Sequence, residues 1–292
     1  MDLGLSGKHV VITGASGGIG LEITRAFLDE GAKVTGTFNR SSRAFDDIKK
    51  PDSFLGVQVD QTSENDVKKL FEQANRVFGR VDVLVANAGI FTHERNAIQE
   101  MSLDQWEKTL KVNLTGTFLC LKHFFANLKK FSGETAALIL VGSTAGFFGE
   151  AWHVDYSASK SAMHGIMMSL KNEIVHLALK GRVNLVNPGW TMTTMAEEAL
   201  ADKDMTGRIL QTIPMRKTAV PEDIAGAILC LASDKLSGHV SGQTITVAGG
   251  MEGRVLFAQE EIESGFSKGH HLPIERRTVI GPTNEDSESA EN

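Results

Sequence analysis

Residues 13–20 read Thr13-Gly14-Ala15-Ser16-Gly17-Gly18-Ile19-Gly20 and join a short apolar run at residues 9–13 to an amphipathic helical pattern. A glycine-rich turn between a first strand and a helix lets the backbone approach a diphosphate, and the helix N-terminus adds free N–H groups and positive dipole. We assign Gly14 to the tight turn, Gly18 to the close approach and Gly20 to the packing of the helix on the strand. An ordinary glycine-rich turn remains the alternative, because short glycine patterns are common.

Short apolar runs alternate with longer helical patterns through most of the chain of 292 residues. Several runs, such as Leu138-Ile139-Leu140-Val141, are continuously hydrophobic, which is typical of a parallel strand covered on both faces. The alternation predicts a single doubly wound α/β domain of the Rossmann type, with a mostly parallel seven-stranded sheet and helices on both faces. The predicted strands are residues 9–13, 33–38, 53–59, 81–86, 136–142, 182–186 and 243–247.

The clearest helix is predicted after Ser63, which has the character of an N-cap residue. Asp66 follows three residues later, and Gly79 stands where a helix C-terminus favours glycine. The intervening residues place one apolar stripe on the helix, formed by Val67, Leu70, Phe71, Ala74, Val77 and Phe78.

Composition limits the classes of function. The net charge of −6 argues against a general nucleic-acid binder, which needs a basic face, and leaves a small molecule as the expected partner. No apolar run is long enough to span a membrane, and residues 1–8 lack the pattern of a secretion signal, so cytoplasm is the expected location. Cys120 and Cys230 lie in apolar helical stretches, which predicts buried free thiols and is compatible with a reducing compartment.

The composition changes near Gly253. Residues 1–252 hold every strand and helix pattern, whereas residues 253–292 hold no strand–helix unit and end in a polar, acidic run. Such a segment cannot bury enough apolar surface to offset its ordering entropy, so we expect a flexible extension. A short helix or an interface contact is the alternative for residues 255–262. His270 and His271 are expected to be solvated, and no cluster of residues has metal-ligand spacing.

Tyr156 and Lys160 are four residues apart and share one face of a predicted helix. A nearby ammonium lowers the pKa of a phenol from about 10, so that the phenol can exchange a proton with an alkoxide or an alcohol. Ser143 follows a buried strand, where an open α/β sheet binds ligands, and its hydroxyl can hold a substrate oxygen. A helix surface pair and a capping serine are the alternatives.

Ordered motifs extend along residues 5–250: Thr13-Gly14-x-x-x-Gly18-x-Gly20, Val59-Asp60, Asn87-Ala88-Gly89, Asn113, Ser143, Tyr156-Ser157-Ala158-Ser159-Lys160 and Pro188-Gly189. Their order and spacing resemble the short-chain dehydrogenase/reductase family, in the branch that includes 3-oxoacyl-carrier-protein reductases. The resemblance implies hydride transfer between a nicotinamide dinucleotide and a carbonyl or alcohol, with Ser143, Tyr156, Lys160 and Asn113 as the catalytic set. It implies that Asn113 holds a water that relays protons to Lys160.

The same resemblance implies the cofactor contacts. Asp60 would lie against the adenine ring, Lys160 would contact the nicotinamide ribose, and Thr191 or Thr193 would contact the carboxamide side. The full set of expected cofactor residues is Gly14, Ser16, Gly18, Ile19, Gly20, Asn39, Arg40, Asp60, Asn87, Ala88, Gly89, Tyr156, Lys160, Pro188, Gly189, Thr191 and Thr193. The resemblance also implies a homo-tetramer or homo-dimer and a lid after residue 190.

The end of the second predicted strand reads Thr37-Phe38-Asn39-Arg40-Ser41-Ser42 and has no carboxylate. An acidic residue there would accept the ribose 2′-hydroxyl of NAD(H), whereas Arg40 can bind a 2′-phosphate. We therefore expect NADP(H), with NAD(H) still open, because Gly17 stands where one family pattern has a basic residue. A ketone reductase, an NAD-dependent alcohol dehydrogenase and a non-catalytic nucleotide-binding module are the hypotheses carried forward. An apolar substrate pocket is expected from Phe147, Phe148, Trp152, Met192 and Met195.

Overall fold

The structure is a computed structural model, and it describes residues 2–92, 94–201 and 203–251. The predicted extension at residues 253–292 lies outside the described residues, as do residues 255–262 and the His270–His271 pair.

Seven strands form one sheet in the order β3-β2-β1-β4-β5-β6-β7, and all six pairings are parallel. This confirms the predicted seven-stranded doubly wound sheet, and each strand lies within three residues of its predicted bounds. The strands are β1 His9–Ile12, β2 Lys33–Phe38, β3 Phe54–Gln58, β4 Val83–Ala86, β5 Thr135–Val141, β6 Lys180–Pro188 and β7 Thr244–Val247.

Helices cover both faces of the sheet and bury a separate apolar core on each side. The helices are α1 Gly18–Asp29, α2 Glu64–Phe78, α3 Leu103–Leu110, α4 Thr117–Lys130, α5 Thr144–Phe148, α6 Val154–Glu173, α7 Glu197–Ala201, α8 Lys203–Gln211, α9 Pro221–Ala232 and α10 Asp234–Ser237. A π-helical segment at Lys111–Gly116 joins α3 to α4 without a break. Short 3₁₀ turns lie at Arg43–Phe45 and Ile174–His176.

Helix α2 begins and ends where the sequence predicts. The Ser63 hydroxyl accepts a hydrogen bond from the Asp66 amide at 3.3 Å, and Gly79 adopts a φ of +79° at the C-terminus. The predicted apolar stripe is buried except at its end, where Val77 is exposed and Phe78 is half-buried against His9. Side-chain capping and burial together therefore determine this helix.

The two cysteines differ in their environment. Cys120 on α4 is buried, and burial raises the pKa of its thiol to about 12. The prediction of burial was wrong for Cys230, which is exposed because α9 turns its neighbours Ile228 and Leu231 toward the core instead. No helix among the described residues is long and apolar enough to cross a membrane.

The parallel arrangement brings the carboxyl ends of all strands to one edge of the sheet. The predicted site residues follow those ends: the glycine turn follows β1, Arg40 follows β2, Asp60 follows β3, Asn87 follows β4 and Ser143 follows β5. One edge of the sheet therefore collects residues that are far apart along the chain.

His9 lies near the opposite end of the sheet and is fully buried. One ring nitrogen is 3.0 Å from the Gly79 carbonyl oxygen, and the other is 2.9 Å from the Thr35 hydroxyl. The ring also packs edge-on against Phe78. Burial lowers the pKa of His9 from its ordinary value of 6.5, with the Gly79 carbonyl opposing the shift. The folded protein therefore holds this imidazole neutral.

We predict that His9 makes the folded state less stable in mild acid. Because the unfolded chain binds a proton more readily at His9, its stabilising contribution is complete above pH 6.5 and is lost as the pH falls through the lower folded pKa. Denaturant unfolding measured at several pH values should show a shallower pH dependence in His9→Gln than in the wild type. Equal slopes in the two proteins would contradict this assignment.

Candidate active site

A cavity of about 1400 Å³ opens at the carboxyl edge of the sheet. Every site residue predicted from the sequence lines this cavity except Asn113. The lining includes Gly14, Ser16, Gly18, Ile19, Gly20, Asn39, Arg40, Asp60, Asn87, Ala88, Gly89, Ser143, Tyr156, Lys160, Pro188, Gly189, Thr191 and Thr193. The fold thus brings together groups from six loops and the helices that follow them.

The glycine turn after β1 is fastened to the end of β4. The Thr13 hydroxyl accepts hydrogen bonds from the amides of Asn87 and Ala88, both at 3.0 Å. In return the Asn87 side-chain amide donates to the carbonyls of Thr13 and Gly14, at 3.0 and 3.2 Å. The Gly14 amide donates to the Thr37 hydroxyl on β2 at 3.0 Å. Three neighbouring strands therefore fix the turn.

Two glycines in the turn have no room for a side chain. Gly14 adopts a φ of +64°, and a Cβ at Gly20 would lie only 2.2 Å from the Gly14 carbonyl oxygen. Gly17 caps α1 without a side-chain hydrogen bond, and the first turn of α1 carries no acidic residue. Free amides and the positive end of the helix dipole therefore face the cavity, which fits a diphosphate.

Gly18 lies under the loop that follows β6. A Cβ at Gly18 would approach the Thr193 Cγ2 atom to 2.8 Å. The loop after β6 thus lies over the N-terminus of α1. The close approach of a diphosphate expected at Gly18 stays a prediction.

We predict opposite effects of alanine at two glycines of helices that lie side by side. Gly20→Ala should lower the free energy of unfolding by about 1–3 kcal/mol, because the turn must shift to accommodate the methyl group. Gly226→Ala on α9 is the matched control: nothing lies within 4 Å of its Cβ position, so alanine should stabilise by about 0.5–1 kcal/mol. Denaturant unfolding measures both. Equal stability changes would show that the turn tolerates a side chain.

The far end of the cavity, near β2 and β3, carries the residues expected to choose between the two dinucleotides. Arg40 and Asn39 are exposed on the cavity wall, and Asn39 donates to the Val59 carbonyl at 3.5 Å. Within the described ranges, no carboxylate forms an ion pair with Arg40. Asp60 accepts hydrogen bonds from the amide and hydroxyl of Thr62, at 2.9 and 2.8 Å.

Lys160 on α6 is buried at the floor of the cavity. Its ammonium donates to the Val141 carbonyl at the end of β5, at 3.1 Å. A Cβ at Gly89 would lie 3.2 Å from the Lys160 Nζ atom, so glycine there leaves space for the ammonium. Burial lowers the pKa of Lys160 to about 8. An ammonium has three protons, so two remain available to other acceptors.

Tyr156 lies one helical turn from Lys160, and the Lys160 Nζ atom is 5.8 Å from the centre of the phenol ring. Burial raises the pKa of Tyr156 above its ordinary value of 10.0. A hydrogen bond between the Tyr156 and Ser143 hydroxyls opposes this shift, whereas the negative charge of Glu150 adds to it. This differs from the lowered pKa expected from the sequence. The reason is desolvation, which disfavours the phenolate more than its neighbours stabilise it.

Ser143 is the N-cap residue of α5. Its hydroxyl accepts from the Ala145 amide at 3.1 Å, and its own amide donates to the buried Asn187 side chain at 3.2 Å. Capping and contact with Tyr156 thus occur at the same hydroxyl, so the two interpretations weighed for this serine are compatible.

Asn113 lies behind the cavity wall rather than on it, within the π-helical segment. Its side-chain oxygen accepts from the Ile90 amide at 2.7 Å, and its side-chain nitrogen donates to the Ile90 carbonyl and the Ser159 hydroxyl, at 2.9 and 3.1 Å. These bonds occupy the amide, so its direct role in this structure is to hold the β4 loop against α6. A sequence motif alone does not show that the hydrogen-bonding groups of this side chain are already occupied.

The expected apolar pocket is only partly formed. Of Phe147, Phe148, Trp152, Met192 and Met195, only Met195 lines the cavity. Phe147 and Trp152 lie on the outer surface, 63% and 49% exposed. The short helix α5 turns Phe147 outward because Thr144 and Ala145 take the buried positions, and Trp152 lies in the turn that precedes α6.

Several residues of the site were not identified from the sequence. Thr13 and Thr37 hold the glycine turn, and Phe91 packs edge-on against Tyr156 with ring centres 5.0 Å apart. Gln61 donates to the Val112 carbonyl at 2.9 Å, and Glu150 lines the cavity near Tyr156. Gln61 could have been identified from the sequence, because it is a polar residue that closely follows a strand. Phe91 and Glu150 belong to no sequence motif that would have identified them.

The arrangement agrees with comparisons to known proteins. A family model for short chain dehydrogenases matches residues 8–204. The chain belongs to this family. Its members are oxidoreductases that act on CH–OH groups with NAD(P), and the chain is such an enzyme.

This short chain dehydrogenase aligns with curated relatives over nearly their whole length. A 3-oxoacyl-(acyl-carrier-protein) reductase of Synechocystis is 35% identical over 254 residues, which is 85% of this chain and 98% of the relative. A reductase of the same name from Salmonella typhimurium is 34% identical over 255 residues, covering 85% and 99%. A crystal structure titled short-chain dehydrogenase/reductase SDR:Glucose/ribitol dehydrogenase, from Brucella melitensis, superposes with a TM-score of 0.76 at 32% identity, covering 84% and 96%.

Proposed function

We propose that this enzyme interconverts a ketone and a secondary alcohol with NADP(H), using Tyr156, Lys160 and Ser143 for proton transfer. The observation that carries the proposal is the meeting of these three side chains in one cavity that also contains the glycine turn. The names of the curated relatives support a ketone as the substrate, because a 3-oxoacyl group presents one.

When bound, the reduced dinucleotide supplies the hydride that adds to the carbonyl carbon. Tyr156 then donates its proton to the carbonyl oxygen, and Ser143 holds that oxygen by a hydrogen bond. The raised pKa of Tyr156 keeps the phenol protonated at neutral pH, which suits a proton donor.

Lys160 acts from beneath the phenol. Its ammonium is anchored to Val141 and has protons free for a ribose hydroxyl. Positive charge at this position stabilises the phenolate formed when Tyr156 gives up its proton. Because Lys160 has a pKa of about 8, this support weakens as the pH rises through that value.

We predict that Tyr156→Phe lowers kcat by at least about 100-fold, because the reaction loses its proton donor. The change removes one oxygen and keeps the ring against Phe91, so binding of NADPH should persist. Steady-state NADPH oxidation with a panel of ketones measures kcat, and fluorescence titration measures NADPH binding. Wild-type turnover in this variant would refute the assignment, and tight NADPH binding without turnover by the wild type would support a non-catalytic module.

The preference for NADP(H) is proposed from Arg40. The guanidinium lies on the cavity wall without a carboxylate partner in the described part of the chain, and no acidic side chain stands at the end of β2. A free guanidinium binds a 2′-phosphate through charge-assisted hydrogen bonds.

We predict that Arg40→Ala lowers kcat/KM for NADPH by about tenfold to 100-fold and leaves that for NADH nearly unchanged, since only NADPH has the 2′-phosphate. Arg43→Ala is the matched control, because Arg43 is exposed nearby but does not line the cavity. Steady-state kinetics with each dinucleotide measures the effect. Equal use of both dinucleotides by the wild type would favour the NAD-dependent alternative.

A homo-oligomer is also part of the proposal. Helices α4 and α6 and the 3₁₀ turn after α6 expose large apolar side chains, with Phe118 53%, Met168 41% and Val175 42% exposed. Small residues on the same side of α6, such as Gly165, allow a second helix to approach closely. An assembly of two or four copies would bury these surfaces.

A further inference from the structure

One carboxylate at the catalytic end of the cavity has no part in the chemistry proposed above. Glu150 lies in the loop between α5 and α6, directly after Gly149, and its side chain is half-buried in the cavity wall. Its backbone amide donates to the Ser157 hydroxyl on α6 at 3.0 Å. This bond fixes Glu150 to the helix turn that carries Tyr156.

Glu150 is distinct from the other carboxylates of the cavity. Asp60 lies at the dinucleotide end and is engaged by Thr62, and Glu94 is exposed at the mouth. Of these three carboxylates in the described part of the chain, Glu150 is the one that is half-buried and tethered beside Tyr156, through the bond of its amide to Ser157. A substrate whose carbonyl oxygen reaches Ser143 and Tyr156 would therefore place its neighbouring atoms near this carboxylate.

We propose that Glu150 is a specificity-determining residue, which selects carbonyl substrates with a hydroxyl donor beside the reacting carbon and rejects those with an anionic group there. The inference rests on the proposed ketone chemistry of this site. A half-buried carboxylate gains a strong hydrogen bond from a hydroxyl, whereas a second carboxylate nearby is repelled in a medium of low dielectric.

The electrostatics around Tyr156 support the assignment. Three polar groups surround the phenol: Lys160 on the same helix, with its Nζ atom 5.8 Å from the ring centre, Ser143 at the start of α5, which hydrogen-bonds to the hydroxyl, and Glu150 on the intervening loop, which lines the same cavity. Burial raises the pKa of Glu150, while the positive charge of Arg95 on the loop after β4 opposes this shift. The negative charge of Glu150 in turn raises the pKa of Tyr156.

Substrate preference provides the first test. Hydroxyacetone, pyruvate and butanone are small ketones that differ in the group beside the carbonyl: a hydroxyl, a carboxylate or a methylene. The wild type should favour hydroxyacetone, and Glu150→Gln should lower the ratio of kcat/KM for hydroxyacetone to that for pyruvate by at least about tenfold. Glu150→Asp, which keeps the charge, should retain the preference.

A second test uses the sequence itself, because Tyr156 is the only tyrosine in the chain. The near-ultraviolet absorbance of tyrosinate therefore titrates this single phenol without interference from another. In Glu150→Gln the midpoint should fall to lower pH, since a negative charge near the phenol is gone. Glu107→Gln is the charge-matched control, because Glu107 is exposed on α3 and does not line the cavity, and its midpoint should equal that of the wild type.

The outcomes separate the two proposals. If the wild type reduces butanone but Glu150→Gln leaves either the substrate ratio or the tyrosinate midpoint unchanged, the role of Glu150 is overturned and the ketone reductase stands. If the wild type reduces no ketone, the proposed function fails and this inference fails with it. Thermal unfolding of each variant checks that the fold is retained.

Discussion

The hydrogen bond from the Lys160 ammonium to the Val141 carbonyl ties helix α6 to the sheet at the end of the cavity proposed for catalysis. Val141 ends β5, an interior strand of the sheet, and Lys160 lies within the 20-residue helix α6, so this contact helps to set the height of α6 above the strand ends. Tyr156 is one turn away on the same helix, and Ser143 is two residues beyond Val141. The relative positions of the phenol, the ammonium and the serine hydroxyl therefore follow from how α6 sits on the sheet.

Burial gives this arrangement its chemical character. The same low-dielectric floor lowers the pKa of Lys160 and raises that of Tyr156, so both groups are pushed toward their neutral forms. A neutral phenol carries the proton that a developing alkoxide requires. At the other end of the cavity, Arg40 and the first turn of α1 are electropositive and near solvent. The cavity therefore combines a buried region, where we propose proton transfer, with a region near solvent, where we propose that the anionic groups of the dinucleotide bind.

Much of this could be read from the sequence, because local patterns determine it. The alternation of apolar runs predicted all seven strands, Ser63 and Gly79 predicted the limits of α2, and the spacing of Gly14, Gly18 and Gly20 predicted a tight turn. The motif residues were predicted to meet because carboxyl ends of parallel strands share an edge.

What the sequence could not predict depends on the surroundings in three dimensions. Desolvation of Tyr156 depends on how completely the loops cover it, and Asn113 is saturated by Ile90 and Ser159, which are far away along the chain. The exposure of Phe147 likewise depends on which residues of α5 turn inward.

The π-helical segment at Lys111–Gly116 shows how one long helix can serve two neighbours. Because a π turn holds an extra residue, the second half of the helix is rotated by about 100° relative to an uninterrupted α-helix. The first half presents Thr109 and Gln105 to the buried Asp155 on α6, and the second half packs on α2. A single-residue deletion there would turn a different set of side chains toward the core. The number of residues in this segment is therefore constrained as well as their identity.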